Sequence, residues 1–260
     1  MHVFVTGASA GIGAALALEL ARALPGAHLT LVARTEARLQ AVAAEVRRIG
    51  ATATVSVCDL SDADAAEVAL REAVASHGPV DVLVNNAGSQ VVGATARVDI
   101  RRAERSLALD LVTPLRLVHA VLPSMEARRT GRILNIASAA ALAPTPGMTW
   151  YNAAKGGLAA ASEALRGELA GSGITVTTVY PGIIQTDMAD AALRAYGSSL
   201  AIRLQPVTSP EALAVRVVRA GLAGRARLVH PRWYGLSRWF PAITRFLMDR
   251  LTPALATGAA

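Results

Sequence analysis

Two residues, Tyr151 and Lys155, are spaced so that they could carry out acid–base chemistry together. Of the 26 basic residues in the chain, 25 are arginine, and Lys155 is the only lysine. Arginine cannot replace lysine where the chemistry requires a compact ammonium group. A four-residue spacing on a helix places both side chains on one face, and a neighbouring cation lowers the pKa of a phenol. The pair therefore predicts a general acid/base, Tyr151, with Lys155 as its electrostatic partner.

Alternating strands and helices are predicted to position this pair. Short β-branched runs alternate with longer stretches of helical period, which favours right-handed βαβ units and one doubly wound parallel sheet. The predicted strands are Val3–Val5, Leu29–Ala33, Thr54–Cys58, Val82–Asn85, Arg132–Ala137, Thr175–Val179 and Arg227–Val229. The predicted helices lie near Gly13–Leu24, Glu36–Ile49, Asp62–Ser76, Ile100–Arg128, Tyr151–Ala170 and Glu211–Ala223. We expect a single domain over residues 1–230, with residues 231–260 as its aromatic-rich C-terminal extension.

Composition and charge argue against several classes of protein. Hydrophobic residues make up 53% of the chain and charged residues 17%, and no run of about 18 apolar residues predicts a spanning helix. An apolar run begins at residue 3, which leaves no room for a cleavable signal, so we expect a cytoplasmic protein. The single cysteine, Cys58, is expected to be a buried thiol, and the scattered histidines predict no metal site. The net charge of +7 is spread along the chain, which does not favour a nucleic-acid partner.

A glycine-rich turn follows the first predicted strand and leads into a helix. It reads Thr6-Gly7-Ala8-Ser9-Ala10-Gly11-Ile12-Gly13, and its glycines would let the backbone approach a pyrophosphate at the helix N-terminus. This spacing resembles that of the short-chain dehydrogenase/reductase family, classical type. Four further motifs extend the resemblance: Cys58-Asp59-Leu60, Asn85-Asn86-Ala87-Gly88, Ser138 placed thirteen residues before Tyr151, and Pro181-Gly182 followed by Thr186.

The resemblance implies an α/β Rossmann fold and a nicotinamide cofactor. Tyr151 would exchange a proton with the substrate oxygen, Ser138 would hydrogen-bond the same oxygen, and Lys155 would hold the nicotinamide ribose. The cofactor-binding residues implied by the resemblance are Gly7, Gly11, Ile12, Gly13, Asp59, Leu60, Asn86, Ala87, Gly88, Tyr151, Lys155, Pro181, Gly182 and Thr186.

The choice between the two nicotinamide cofactors can be argued from charge. The second predicted strand ends Val32-Ala33-Arg34, without the acidic residue that would bind the ribose diol of NAD. Arg34 could form a charge-assisted contact with the 2′-phosphate of NADP, with Ser9 adding a hydroxyl and Arg38 lying one helical turn on. We therefore predict that NADP(H) is preferred over NAD(H), the alternative being that Arg34 is one more surface arginine.

One position departs from the family pattern. Asp110-Leu111-Val112-Thr113-Pro114 resembles the family's Asn-Leu-x-Gly-Pro, so that Asp110 occupies the position of a fourth catalytic residue, usually asparagine. Two alternatives follow from the charge of a carboxylate. Asp110 either fills the shape of the asparagine with little consequence, or its charge changes the pH dependence of the reaction.

Two apolar regions suggest the class of substrate. The residues between Ser138 and Tyr151 are small and apolar, and the segment at about 187–208 resembles the family's substrate-covering loop. The residues of that segment singled out are Met188, Leu193, Arg194, Tyr196, Leu200, Ile202 and Arg203. We predict hydride transfer between NADP(H) and a carbonyl or secondary alcohol of an apolar small molecule.

Two alternatives to this activity remain open. A catalytically inactive NADP-binding scaffold or sensor would predict loss of Ser138, Tyr151 or Lys155, and all three residues are present. A dehydratase or epimerase using the same tyrosine belongs to a family branch that generally has a longer C-terminal substrate domain.

Two candidate contact surfaces remain. By resemblance, the helices that contain Asp110 and Tyr151 would assemble a homodimer or homotetramer. Half of the ten aromatic residues lie between Trp233 and Phe246, and an apolar stripe at helical spacing runs through the same segment. The stripe consists of Trp233, Leu236, Phe240, Ile243, Leu247 and Leu251. Such a stripe usually packs on its own domain or on a partner subunit, and peripheral membrane contact is the alternative.

Overall fold

The computed structural model describes residues 1–196 and 206–252, in which strands alternate with helices. The strands are β1 His2–Thr6, β2 His28–Ala33, β3 Thr52–Val57, β4 Val82–Asn85, β5 Gly131–Ile136, β6 Ile174–Pro181, β7 Ile183–Ile184, β8 Val207–Thr208 and β9 Arg227–His230. The helices are α1 Gly11–Ala23, α2 Glu36–Arg48, α3 Ala63–His77, α4 Ile100–Leu107, α5 Thr113–Arg128, α6 Thr149–Glu168, α7 Asp187–Ala195, α8 Pro210–Leu222, α9 Leu236–Trp239 and α10 Pro241–Leu251. Shorter helical turns lie at Ala108–Val112 (π), Ala139–Ala141 and Arg232–Gly235 (both 3-10).

Seven strands form the central sheet in the order β3-β2-β1-β4-β5-β6-β9, and every neighbouring pair runs parallel. β7 and β8 form a separate two-stranded ribbon. The chain builds outward from β1 to β3 and then returns to the other side of β1, so the strand order reverses between β1 and β4. Open α/β sheets bind ligands at the carboxyl ends of the strands beside such a reversal. The predicted doubly wound Rossmann fold is confirmed.

Helices cover both faces of the sheet, and successive strand residues point to opposite sides, so both sets of side chains are buried. In β1, Val3 and Val5 join the core formed with α1, α2 and α8. Phe4, between them, joins the core formed with α3 and α5. These two layers hold the carboxyl ends of the strands rigidly, so loops that follow β1, β4 and β5 are presented together at one edge.

The structure departs from the predicted helix at Ile100–Arg128. That stretch is divided by the π turn Ala108–Val112, which contains Asp110. A π turn adds one residue to a helical turn without breaking the helical course, so the apolar periodicity does not reveal it. By length and composition this stretch could cross a membrane, with a mean hydropathy of 1.3. In the fold, however, one face of it packs in the core through Leu117, Val121 and Met125.

The segment predicted as a substrate-covering loop contains regular structure. Its beginning forms α7 and its end forms β8. Leu200, Ile202 and Arg203 lie outside the described residues.

The aromatic segment after Pro231 forms the turn at Arg232–Gly235 followed by α9 and α10, with Pro241 beginning the second helix. The large apolar side chains of this segment are exposed, Trp239 at 80% of its surface. This exposure argues against the alternative in which the stripe packs on its own domain.

Three histidines that are far apart in the sequence meet at the edge of the sheet opposite the carboxyl ends of the strands. The rings of His28 and His77 stack with centroids 3.6 Å apart, and His2 meets both rings edge-on. Thr54 Oγ1 lies 3.0 Å from Nε2 of both stacked rings. Burial and, after it, the neighbouring histidines His77 and His2 lower the pKa of His28 to about 4. Within the described ranges, no His, Cys, Asp and Glu group is arranged to hold a metal ion.

Candidate active site

The loop after β1 is packed too tightly for a side chain at any of its three glycines. Gly7 has a φ of +67°, and a Cβ there would lie 2.8 Å from the Cα of Ala87. A Cβ on Gly13 would lie 2.1 Å from the carbonyl oxygen of Gly7. A Cβ on Gly11, which also has a positive φ, would lie 3.1 Å from Thr186. The loop is therefore closely held between the ends of β4 and β6.

Thr6 and Asn86 fix the loop to the end of β4. The Thr6 hydroxyl donates to the carbonyl oxygen of Val84 at 3.1 Å and accepts from the backbone N–H groups of Asn86 and Ala87. The Asn86 side-chain amide donates to the carbonyl oxygens of Thr6 at 3.0 Å and Gly7 at 3.3 Å. Asn86 thus supports the loop with its amide. Sequence reasoning missed Thr6, although its place directly before the first glycine was a usable signal.

The N-terminus of α1 suits a bound phosphate group. Its N-cap residue, Ala10, makes no side-chain hydrogen bond to the first turn. The N–H groups of that turn therefore depend on a partner from outside the helix, and a pyrophosphate is the ligand class that such ends bind. Ser9 and Ile12 line the same cleft as Ala10.

Residues that follow β2 and β3 extend the cleft to one side of the glycine loop. The residues from this region that line it are Arg34, Arg38, Asp59 and Leu60. Both arginine side chains are exposed, so they can reach a ligand. A hydrogen bond from the backbone N–H of Ser61 is the main cause that lowers the pKa of Asp59. These residues fit the adenosine end of a dinucleotide with an additional phosphate.

Ser138, Tyr151 and Lys155 line the same cleft, which has a volume of about 1370 Å³. Ser138 follows β5, and its hydroxyl oxygen accepts from the backbone N–H of Ala140 at 3.1 Å. Tyr151 and Lys155 lie one turn apart on α6, with exposed fractions of 8% and 4%. The structure thus brings together the three residues that sequence reasoning selected, although they come from two elements.

Lys155 is held by two partners inside the fold. Its Nζ lies 2.9 Å from Oδ1 of Asp110 and donates to the carbonyl oxygen of Ile136 at 3.1 Å. Burial lowers the pKa of Lys155, but the charges of Asp110 and Tyr151 outweigh this, so the pKa is raised above its ordinary value. Lys155 is therefore a charged ammonium group throughout the neutral range.

Asp110 is completely buried in the π turn. Its Oδ2 accepts from the backbone N–H of Ser89 at 2.9 Å and from the hydroxyl of Ser106 at 3.3 Å. A Cβ on Gly88 would lie 2.5 Å from Asp110 Oδ1, so this glycine makes room for the carboxylate. Ser89 and Ser106 were not selected from the sequence, which contains no signal that they would meet Asp110.

The pKa of the Tyr151 phenol is raised above its ordinary value. Burial is the main cause; Lys155 and a hydrogen bond with Ser138 lower the pKa, while Asp110 raises it. The sequence correctly predicts that Lys155 favours the phenolate. Burial outweighs that effect, however, so that Tyr151 is a neutral phenol, able to donate its proton.

The other end of the cleft is apolar. From the loop after β5 it is lined by Ala139, Ala140, Leu142 and Met148, and from α7 by Met188 and Leu193. Tyr196, at the end of α7, also lines it and donates to the carbonyl oxygen of Pro146 at 2.7 Å. Arg194 is exposed and is not among the described residues that line the cleft.

The end of β6 and the C-terminal segment pack together and form part of the cleft wall. Pro181, Gly182 and Thr186 line it together with the aromatic residues Trp233 and Tyr234. A Cβ on Gly182 would lie 2.5 Å from the Tyr234 ring, so this glycine allows the ring to pack on the strand.

Comparisons with known proteins agree with this geometry. The family model described as short chain dehydrogenase matches residues 1–196. A fatty acyl-CoA reductase from Acinetobacter baylyi is 36% identical over 218 residues, which cover 83% of this chain and 71% of the relative.

Two solved structures are also similar. The actinorhodin polyketide ketoreductase with NADPH is 31% identical, with a TM-score of 0.79 over 88% of this chain and 95% of that chain. NAD+-bound xylitol dehydrogenase has a TM-score of 0.78 over 88% of this chain and 96% of that chain; at 24% identity it shows the fold alone.

Proposed function

The chain belongs to the short chain dehydrogenase family, and we propose that it is an NADP(H)-dependent oxidoreductase acting on an apolar carbonyl compound or secondary alcohol. Tyr151 is its general acid/base. The observation that carries this proposal is the buried Tyr151–Lys155 pair in the wall of the cleft that also contains the glycine loop. A family fold by itself would not specify an activity, because function depends on the residues of the site.

The uncapped end of α1 and the loop residues Gly7, Gly11 and Gly13 would hold the pyrophosphate of the cofactor. Arg34 and Arg38 would bind the 2′-phosphate of NADP(H). The end of β2 carries Arg34 in place of the acidic residue that would bind the ribose diol of NAD(H), which supports a preference for NADP(H). The similar ketoreductase structure contains NADPH. When bound, the nicotinamide supplies the hydride acceptor or donor.

The chain's own residues handle the proton. A neutral phenol at Tyr151 can donate its proton to the oxygen of a carbonyl group as negative charge develops there. Ser138 donates a hydrogen bond to the same oxygen, and the Lys155 ammonium stabilises the phenolate that remains. In the oxidative direction the phenolate takes the proton from the alcohol. Because the pKa of Tyr151 is raised, the residue is better suited to give a proton at neutral pH than to take one.

The substrate class is argued from the lining of the cleft. Ala139, Leu142, Met148 and Leu193 present apolar surface, and no charged side chain among the residues lining the described part of this end could clamp a carboxylate or phosphate. Apolar pockets with few polar groups select substrates by burial of hydrocarbon surface. The fatty acyl-CoA reductase relative supports a long apolar chain as one member of this class.

Spectrophotometry tests the proposal. We expect the protein to oxidise NADPH in the presence of some members of a panel of apolar ketones and aldehydes. Tyr151→Phe should lower kcat by roughly two to four orders of magnitude, while NADPH binding through the glycine loop and Arg34 should remain detectable by fluorescence. Tyr180→Phe is the matched control, since Tyr180 is also buried but does not line the cleft. Tight NADPH binding without turnover on any compound would instead support a catalytically inactive scaffold.

A further inference from the structure

The C-terminal segment presents an unusual concentration of apolar side chains to solvent. Within the described ranges, sixteen large apolar side chains are exposed, and seven of them lie between residues 233 and 247. These seven form what we call the aromatic face: Trp233, Leu236, Trp239, Phe240, Ile243, Phe246 and Leu247. Contiguous exposed apolar surface marks a contact site for protein or membrane.

Polar contacts hold the aromatic face outward. Arg238 lies 3.4 Å from Glu163 of α6, and Arg245 donates to the carbonyl oxygen of Pro144 at 2.9 Å. Arg238 and Arg245 therefore contact the body of the protein, while the seven apolar side chains are exposed to solvent. Turning the apolar side inward would break both contacts.

The aromatic face is continuous with the mouth of the cleft. Trp233 and Leu247 belong to the aromatic face and also line the cleft, together with Ser237 and Met248. A molecule at the aromatic face would therefore reach the cleft past Trp233 and Leu247. This continuity is what a substrate of low solubility in water requires.

Charge favours an anionic lipid surface over a second copy of the chain. Arg232 and Arg250 are exposed on the same segment, and the guanidinium of Arg250 lies 4.7 Å above the Phe246 ring. The single acidic residue between residues 232 and 250 is Asp249, which pairs with Arg245. In a two-fold contact the same patch lies on both sides of the interface, so two segments that each carry four arginines and one aspartate would face one another. Anionic headgroups complement both the arginines and the aromatic rings.

We propose that the aromatic face docks the protein on the surface of anionic membranes and places the mouth of the cleft against the lipid. Trp239 and Phe246 enter the boundary between headgroups and acyl chains, and Arg232 and Arg250 bind the phosphates. The docking itself depends on exposed residues alone. Delivery of an apolar carbonyl compound from the lipid to the cleft rests in addition on the proposed function.

Co-sedimentation of the full chain with vesicles tests the docking. We expect binding to equimolar phosphatidylcholine and phosphatidylglycerol vesicles, at least about tenfold weaker binding to phosphatidylcholine alone, and weakening with salt. Trp239→Asp/Phe246→Asp should lose at least about tenfold in partitioning. The matched control is Val68→Asp/Val215→Asp, which places the same charges at exposed apolar positions on α3 and α8 and should bind like the unchanged protein.

Three results would overturn the proposal. The first is failure of the unchanged protein to bind anionic vesicles at low salt. The second is an equal loss of vesicle binding in both double variants. The third is an unchanged protein that binds no vesicles and forms a dimer, which light scattering shows to dissociate in Trp239→Asp/Phe246→Asp. NADPH binding by fluorescence verifies that each variant is folded. Because vesicle binding requires no substrate, a failure of the proposed oxidoreductase activity leaves this measurement unaffected.

Discussion

Replacing Asp110 by asparagine should shift the pH dependence of the reaction while preserving the shape of the site. The carboxylate is completely buried and lies 2.9 Å from Lys155. Its negative charge raises the pKa of Tyr151, so Asp110→Asn should lower that pKa. The positive field of Lys155 would then act on the phenol without opposition from this carboxylate, although burial would still raise the pKa.

The size of the shift follows from the charge that is removed. A nearby unit charge typically shifts a pKa by roughly 1 to 3 units, and one pKa unit corresponds to about 1.4 kcal/mol. Because the Lys155 ammonium compensates much of the carboxylate field at Tyr151, we expect a fall of about 1 unit in the pKa of Tyr151. Reduction requires the protonated phenol, so its alkaline limb should move to lower pH. Oxidation requires the phenolate, so its acidic limb should move in the same direction.

The assay is kcat/KM measured across pH in both directions of hydride transfer. Asp64→Asn is the control, because that carboxylate is exposed and pairs with Arg116 on the outside of the fold. Thermal unfolding reports separately on stability, since a buried ammonium that loses its partner destabilises a fold by about 3–5 kcal/mol. An active Asp110→Asn enzyme whose pH profiles are unchanged would refute the electrostatic reasoning. Asp110 would then only occupy the space that the asparagine occupies in the family.

Three further changes test other parts of the structure. Arg34→Ala should weaken NADPH binding by roughly 10- to 100-fold, the loss of a charge-assisted contact, and leave NADH binding nearly unchanged in fluorescence titrations; equal losses for both cofactors would contradict a 2′-phosphate site. Gly13→Ala should abolish cofactor binding, because its Cβ would lie 2.1 Å from a backbone oxygen. The Cβ of Gly156→Ala would meet nothing within 4 Å, so this change should raise the free energy of unfolding by up to about 1 kcal/mol. The pKa of His28 is lowered from 6.5 to about 4, so the folded state disfavours protonation of this ring. Stability measured by urea denaturation should hold above pH 6.5 and fall towards pH 4, by less than the full linkage slope because solvent screens a partly exposed ring. A flat profile would refute this.

Much of the fold could be predicted because its signals are local. Parallel strands are buried on both faces, so they appear in the sequence as short apolar runs such as Val82–Asn85, which matches β4. The glycine loop and the Tyr151–Lys155 spacing are likewise contained within a few residues. These local features are sufficient to predict the cleft and its principal residues from the sequence.

The remaining features depend on contacts between distant parts of the chain. The sequence does not show that Ser89 and Ser106 hold Asp110, because their meeting depends on the π turn. Nor does helical spacing indicate which side of the aromatic segment faces the protein. That orientation follows from Glu163 and Pro144, which lie some 75 to 101 positions away from their arginine partners.

Lys155 also has a consequence for spectroscopy. A protein grown with nitrogen-15 lysine would carry a single labelled side chain, because the sequence contains one lysine. Its ammonium signal would come from a buried group beside Asp110 and Tyr151, without background from the surface. Cofactor binding, proton uptake and substitution of either neighbour could then be followed at one resonance.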